Sequence, residues 1–371
     1  MTRGPQVLFY THYGPGRHRQ GGGALAIWST ARALYESGVD VTCVFVGEGE
    51  EEKAEAGAVP IVGMREVSEL GGLVRDRSPD LLHSFRWTAA VGLKEAKLLG
   101  IPSIYEVRSP TCYPSKLVHK LRPPYFKEWH SLKLGMEDRR TAHLAAHVLV
   151  PSQDALGRCR RYYDIPENRS SYAYNGIAHD LFYPGDDREA TTAVRIVTAG
   201  RIARDLHIDR VIMWYQRLKG EYPMLELDIL GDGNKREACE AMVRDLGLAG
   251  VRFHGSVPHA RVAEIYRRSD IMVSASQAES FGNVVAEGMA SGLPTVCYRV
   301  GSLPEVAKEG VTTLFASFGD DAAMLAHLRR LICDPELRLQ FGLAAAARAR
   351  REFSWERRAG EIVDLYGRLL D

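Results

Sequence analysis

With 371 residues, 45% of them hydrophobic and 26% charged, the chain has the make-up of a soluble globular protein, and its length favours two domains over one. A formal net charge of +1 supplies no general attraction for nucleic acid, and no run reaches the roughly 18 apolar residues that a membrane-spanning helix needs. The six cysteines are scattered without a C-x-x-C pair, which argues against a disulfide framework or a zinc site and fits a reducing cytoplasm.

The opening MTRGPQVLFY passes directly into a strand-like run, with no signal peptide in view. Taken in order, the strand candidates of the first half are 6–11, 41–46, 81–85, 102–107 and 147–152, with helical segments such as 24–37 and 89–99 between them. The polar, turn-rich FYPGDDREATTA at 182–193 reads as a linker. The alternation then restarts with strands at 194–200, 225–231, 251–255, 271–276, 294–299 and 312–317. FSWERRAGEIVDLYGRLL, residues 353–370, has the period of an amphipathic helix. Apolar runs alternating with helices predict an α/β protein: two doubly wound parallel-sheet domains, 1–184 and 185–352, with a cleft between them and a final helix in 353–371. Ligands of such sheets collect at the carboxyl ends of the strands, so the chemistry is expected in the strand-to-helix loops.

One such loop is ESFGNVVAE, Glu279 to Glu287, where two carboxylates bracket a helix start. The N–H groups of Phe281, Gly282, Asn283 and Val284, with the positive end of the helix dipole, suit an anion the size of a phosphate. A carboxylate beside that anion suits a vicinal diol, which offers two hydrogen-bond donors. A diol on each side of a diphosphate describes a nucleotide sugar. On spacing alone, a solvated loop acid and a helix-surface acid account for the same residues.

The surrounding motifs favour the first reading. Glu279 and Glu287 stand as an E-x7-E pair in ESFGNVVAEGMASGLPTV, and YNGIAHDLFYP, TAGRI, LDILGDGNKRE, VGSLPEV, the glycine-rich GGGALAIWSTARALYESGVDVTCV and the closing FSWERRAGEIVDLY follow a common order. In these the sequence resembles the retaining glycosyltransferases of family 4, whose GT-B fold has two facing Rossmann-like domains. The resemblance implies an N-terminal acceptor domain, a nucleotide-sugar domain and a C-terminal helix that crosses back to the first domain. It further implies that Glu279 holds donor-sugar hydroxyls, that Glu287 holds the ribose diol, and that Arg201 pairs with the diphosphate, as its fixed fork of donors allows. Gly22 and Gly23, with Gly21, would let a loop of the first domain approach the phosphate. His12, Arg108 and Asn175 fall on the acceptor side, and GT-B enzymes as a class need no metal or other cofactor for donor binding.

Two departures stand out. In GRIARDLHIDR, Leu206 and His207 occupy the positions where the family carries Lys and Gly, so one cation is missing, with Arg204, His207 and Lys235 as candidate substitutes. In IYEVRSPTCYP, Arg108 stands where many members have a His. An Arg stays protonated and cannot act as a base, so it either binds an anion or pairs with Glu106. His83, ending an apolar strand, reads as a core histidine. Residues 108–161 carry eleven Lys/Arg against four Asp/Glu, either a solvated basic face or a contact for an anionic bilayer.

The function expected is retaining transfer of a hexosyl or N-acetylhexosaminyl group from a nucleotide sugar, UDP-linked first and GDP-mannose second, to an acceptor hydroxyl. The acceptor would be a lipid-linked glycan or a small molecule, and the protein cytoplasmic, with the inner membrane face as a peripheral site of contact. The rival is a non-catalytic partner that keeps the fold, with a nucleotide-sugar epimerase behind it.

Overall fold

The computed structural model describes residues 4–12, 22–47, 58–110, 126–185, 193–203 and 206–371, with Gly22 and residues 126–132 by backbone alone. The chain divides into two compact units, Met1–Gly176 with Trp355–Asp371, and Ile177–Ser354.

The first unit is built on seven parallel strands: β1 Gln6–His12, β2 Asp40–Val46, β3 Ile61–Met64, β4 Leu81–Phe85, β5 Ser103–Glu106, β6 His147–Val150 and β7 Ser170–Tyr172. Their order is β3-β2-β1-β4-β5-β6-β7. Successive side chains of a strand point to opposite faces, and β1 is apolar on both. Val7 and Phe9 join the core of one face with Ile27, Leu34, Ile362 and Tyr366. Leu8 and Tyr10 join the other with Leu70, Leu93 and Ala142. The helices Gly22–Glu36 and Trp355–Leu370 therefore cover one face, and Glu69–Arg77, Ala90–Leu98 and Phe126–Leu144 the other.

The second unit has six parallel strands: β8 Arg195–Ala199, β9 Glu226–Leu230, β10 Val251–Gly255, β11 Ile271–Ser274, β12 Thr295–Tyr298 and β13 Thr313–Ala316, in the order β10-β9-β8-β11-β12-β13. Ile271 and Val273 pack into one core with Trp214, Tyr215 and Leu328. Met272, turned the other way, lies against the helix Asn283–Ala290 at Gly288.

Every strand expected from the sequence is present, and β3 and β7 are two that were not expected. Both sit at the outer positions of their sheet, where β3 is largely half-exposed and β7 is the polar Ser-Ser-Tyr, so neither shows a buried apolar run. The seam between the units also precedes the predicted linker. Ile177 donates its N–H to the Phe353 carbonyl at 3.1 Å, the Leu181 carbonyl accepts from Arg267 at 3.0 Å, and the Phe182 ring stands edge-on to His259 at 5.1 Å. Ile177 and Phe182 are apolar and buried, which binds 177–184 to the second unit; residues 186–192 of the linker lie outside the described residues. Among the described residues no helix is long and apolar enough to cross a membrane.

The last helix carries Arg358, Ala359, Ile362, Leu365 and Tyr366 on its buried face. Arg358 is 1% exposed and gives two hydrogen bonds of 2.7 Å to the two oxygens of the fully buried Glu106 at the end of β5. It also donates to Thr30 Oγ1 at 2.9 Å and to the carbonyls of Ala173 and Tyr174. Tyr366 places its hydroxyl 2.8 Å from Nδ1 of the buried His83, so His83 is a core residue with a partner.

Candidate active site

In the second sheet the chain order reverses between β8 and β11, and the loops leaving their carboxyl ends diverge to flank a crevice at that point. The loop after β8 carries Arg201, and the loop after β11 carries Glu279. His207, closing the first loop, sets its Nε2 3.4 Å from Oε1 of Gln277 in the second. The loop after β12 braces Glu279 from behind, since the N–H and hydroxyl of Ser302 donate to the Glu279 carbonyl at 3.1 and 3.3 Å. Gly301 lies so close to that carbonyl that a Cβ would come within 2.0 Å of it.

The helix Asn283–Ala290 begins at Gly282, which has φ +88° and offers no side-chain cap. Its first ladder bond runs from the Ala286 N–H to the Gly282 carbonyl at 3.0 Å, so the N–H groups of 283–285 precede the ladder. The first turn contains no acid, and the positive end of the dipole is not neutralised from within. Phe281 turns its ring inward, edge-on to Phe353 at 5.3 Å, and leaves the backbone as the part that lines the turn. Asn283 and Val284 are half-buried, Arg201 is exposed and Glu279 is partly exposed. Glu287, one turn further along, is 8% exposed and pairs with His259 Nε2 at 3.3 Å. The structure thus gathers Glu279, Phe281, Gly282, Asn283, Val284 and Glu287 around one loop-and-helix corner of one unit, and places Arg201 on the loop after the adjacent strand.

A side chain at Gly282 would sit in the left-handed region and bring its Cβ within 2.5 Å of the buried Leu303. Gly282→Ala is expected to cost about 1–3 kcal/mol of stability through the strained conformation alone. Thermal unfolding of the variant checks this, and an unchanged midpoint would mean that the turn relaxes without strain.

At the departures from the family pattern the geometry is informative. His207 has φ +47°, the left-handed conformation expected of the glycine it replaces, and His is among the residues that tolerate it better than most. Leu206 is half-buried against Gly200, whose Cβ would come 2.7 Å from the Leu206 Cδ1. Lys235 donates its N–H to the Ile202 carbonyl at 3.0 Å, which ties it to the loop after β8. His207, Lys235, Ile202, Asp209 and Cys239 line one groove of about 430 Å³. Arg204 lies outside the described residues.

In the first unit His12 ends β1 with φ +64°, its Nδ1 2.9 Å from the Tyr10 hydroxyl and 3.3 Å from Thr88 Oγ1. Burial, then the charge of Arg86, lowers its pKa to about 4, so the ring is neutral near pH 7. Arg108 follows β5 with its side chain 16% exposed and its Nη1 bonded to Glu106, the ion pair that the sequence offered as an alternative to anion binding. Asn175 is 1% exposed, just past the carbonyls that hold Arg358. Gly22 and Gly23 open the helix Gly22–Glu36 instead of sitting in a loop, because the helical run of small and apolar residues extends back through them. Gly21 is outside the described residues, as are 111–125 and the side chains of 126–132, which removes much of the basic stretch 108–161 from view. His259 was not singled out from the sequence, since its partner is reached only through the fold.

Residues 184–348 match the family of glycosyl transferases group 1, and residues 20–181 match Glycosyltransferase Family 4. D-inositol 3-phosphate glycosyltransferases from Streptomyces scabiei and Corynebacterium efficiens are each 26% identical, over 77% and 87% of this chain and 67% and 78% of their own lengths. Among solved structures, a sucrose-phosphate synthase from Thermosynechococcus elongatus matches with a TM-score of 0.79 at 20% identity, covering 98% of this chain and 99% of its own. Anabaena HepE, solved in complex with UDP-glucose, matches with the same TM-score at 17% identity, covering 98% of this chain and all of its own. Two parallel-sheet α/β units in one chain, matched over nearly their whole length by such structures, make the GT-B fold. The chain belongs to glycosyltransferase family 4 and is a glycosyltransferase of the GT-B fold.

Proposed function

We propose that the protein transfers a hexosyl or N-acetylhexosaminyl group from a nucleotide sugar to an acceptor hydroxyl, with retention at the anomeric carbon. The observation that carries the reading is the acid-free helix start at Gly282, flanked by Glu279 and Glu287 and neighboured by the loop of Arg201. A UDP-sugar is the first choice of donor, supported by the UDP-glucose bound in HepE, and GDP-mannose the second.

In this reading the diphosphate meets the N–H groups of the helix start and the Arg201 guanidinium, which stabilise the charge that grows as the sugar leaves. Glu279 accepts hydrogen bonds from the sugar hydroxyls, and Glu287 from the ribose diol. The acceptor oxygen bonds to the anomeric carbon on the face from which the phosphate departs. The departing phosphate oxygen takes the acceptor proton, so no enzyme nucleophile or metal ion enters. Gly22 and Gly23, at the start of their helix, would approach the donor, while His12, Arg108 and Asn175 would serve the acceptor. Acceptors of two kinds fit, a lipid-linked surface glycan reached through the basic stretch 108–161 at a bilayer, or a small natural product.

Incubation with a panel of UDP-, GDP-, dTDP- and ADP-sugars is expected to give selective binding and slow nucleotide release. Proton NMR of the glycoside formed with an accepted alcohol is expected to show the anomeric configuration of the donor. An inverted product would overturn the retaining reading. A second reading, a partner that binds donor without turnover, draws on Leu206, which packs on Gly200 where a cation is expected. Binding of a nucleotide sugar with no release under any acceptor would favour it.

A further inference from the structure

The pairing of Glu287 with His259 is a feature that the donor site as described does not use. His259 is the first residue of the helix Pro258-capped at its start, His259–Arg267, and it reaches across to the helix Asn283–Ala290. The contact is one oxygen of the carboxylate, Oε1, at 3.3 Å from Nε2. Two groups hold the pair in place. Phe182 stands edge-on to the imidazole at 5.1 Å, the ring of Tyr266 packs on the same Phe182 at 5.9 Å, and Tyr266 is wholly buried. The Tyr266 hydroxyl has no hydrogen-bond partner among the described residues, and Glu287 is the charged group that acts on it. Glu287, itself largely buried, therefore stands beside a half-buried imidazole, with the buried Tyr266 phenol within reach of its charge.

A carboxylate that must receive a diol has to be ionised, turned to a fixed angle, and left with acceptor capacity facing the ligand. A single donor on Oε1 meets the last two of these needs. It fixes the rotation of the carboxylate, sets the imidazole against one of its oxygens, and leaves Oε2 for the ligand. We infer that His259 is a positioning residue of the donor site, holding Glu287 by Oε1 so that its remaining lone pairs meet the ribose hydroxyls of the nucleotide. This rests on the reading that Glu287 binds the ribose.

The electrostatics agree with the geometry. Burial by itself would lower the pKa of His259, but the hydrogen bond and the charge of Glu287 outweigh it, and the net direction is upward. The groups facing the imidazole are Glu287 from the neighbouring helix, Phe182 from the preceding segment, and, through Phe182, Tyr266 on its own helix. Glu287 is the one ionic partner of the imidazole among the described residues. The imidazolium is therefore present below the raised pKa and lost as the pH climbs through it. Nucleotide affinity should be greatest on the acid side of that transition.

The test is calorimetric titration of the full chain with UDP, GDP and ADP, the tightest of which is carried forward, from about pH 6 to about pH 9. It uses the wild type, His259→Ala, His259→Gln and Glu287→Ala, with thermal midpoints recorded for each. The expected result is that His259→Ala weakens binding about tenfold at the acid end, the size of a lost charge-assisted hydrogen bond. His259→Gln, which keeps an N–H donor but does not titrate, should recover part of the affinity and remove the fall with pH that the wild type shows. Titration of the nucleotide phosphate is common to all four proteins and drops out of that comparison. In turnover, His259→Ala should raise the KM for donor and leave kcat within about twofold, the mark of uniform binding. If Glu287→Ala abolishes binding while His259→Ala folds and binds as the wild type does, the positioning role falls and the ribose reading stands. If neither variant weakens binding, Glu287 is not at the ribose, and both readings fall together.

Discussion

Replacing Glu279 by Gln is expected to lower kcat about 100- to 1000-fold and to leave the thermal midpoint where it is, the scale on which loss of one well-placed polar group at a reacting centre is measured. The main chain and the side chain of this residue have different surroundings. Its main chain does the bracing, because the carbonyl takes hydrogen bonds from the N–H and hydroxyl of Ser302 and lies against Gly301. Its side chain is partly exposed at the end of the loop, so exchanging the carboxylate for an amide of the same shape leaves the frame standing. A carboxylate that holds sugar hydroxyls more tightly as positive charge builds on the anomeric carbon should cost kcat, whereas one that only docks the sugar should cost KM. Steady-state kinetics with a saturating donor decides between these. Turnover close to wild type would remove Glu279 from the reaction.

Replacing Arg358 by Met is expected to be the most damaging change in the first unit, at about 3–5 kcal/mol of stability, because it strands a buried carboxylate. Glu106 is fully buried, and Arg358 supplies two of its hydrogen bonds; Arg108 supplies another. Burial alone would push the Glu106 carboxyl up, but Arg358 and then Arg108 hold it well below the usual carboxylate range. A carboxyl with a depressed folded-state pKa lends stability that is complete above its unfolded value, about 4.3, and disappears as the pH falls toward the folded one. The neighbouring His83 acts in the same direction. Burial depresses its pKa, so below about pH 6.5 the unfolded chain gains a proton that the folded one resists. The wild type should therefore lose stability steadily in acid, and Arg358→Met should flatten the lower part of that curve. Thermal melts from about pH 3 to pH 8 read both effects, with a drop of about 10 °C expected near neutrality for a unit of this size. Adding Glu106→Leu should restore much of the loss, since replacing a whole buried pair by apolar groups is often neutral. A single variant within about 1 kcal/mol of wild type would show that water replaces Arg358.

Local pattern made most of the fold legible. Strands such as IMVS are buried on both faces and so appear as short unbroken apolar runs, and the Gly-punctuated loops after them mark where ligands gather. The strands missed, β3 and β7, are short and lie at the outer positions of their sheet; β7 is polar, and β3 is a four-residue apolar run broken by Gly63. The Glu279 and Glu287 spacing was readable because both acids belong to one loop and helix. The partner of Glu287 was not, because His259 enters from another helix. Glu106 shows both cases together. Its pairing with Arg108, two residues away, was available from the sequence, while the stronger grip comes from Arg358, 252 residues along the chain. In sequence Arg358 is one of several charges on an amphipathic helix, and nothing local says that it is the one turned inward.

The return of the last helix to the first unit has a consequence for the order in which the protein is made. The second unit is one continuous stretch, Ile177–Ser354, whereas the first draws part of its core from Ile362, Leu365 and Tyr366. On a ribosome, everything the second unit needs has been translated before the first unit receives its final piece. Until that piece arrives, Glu106 is a carboxylate without its principal counter-charge, and one face of the first sheet lacks the helix Trp355–Leu370. The unit whose translation begins first is thus the one closed last, and Arg358 is the residue that closes it.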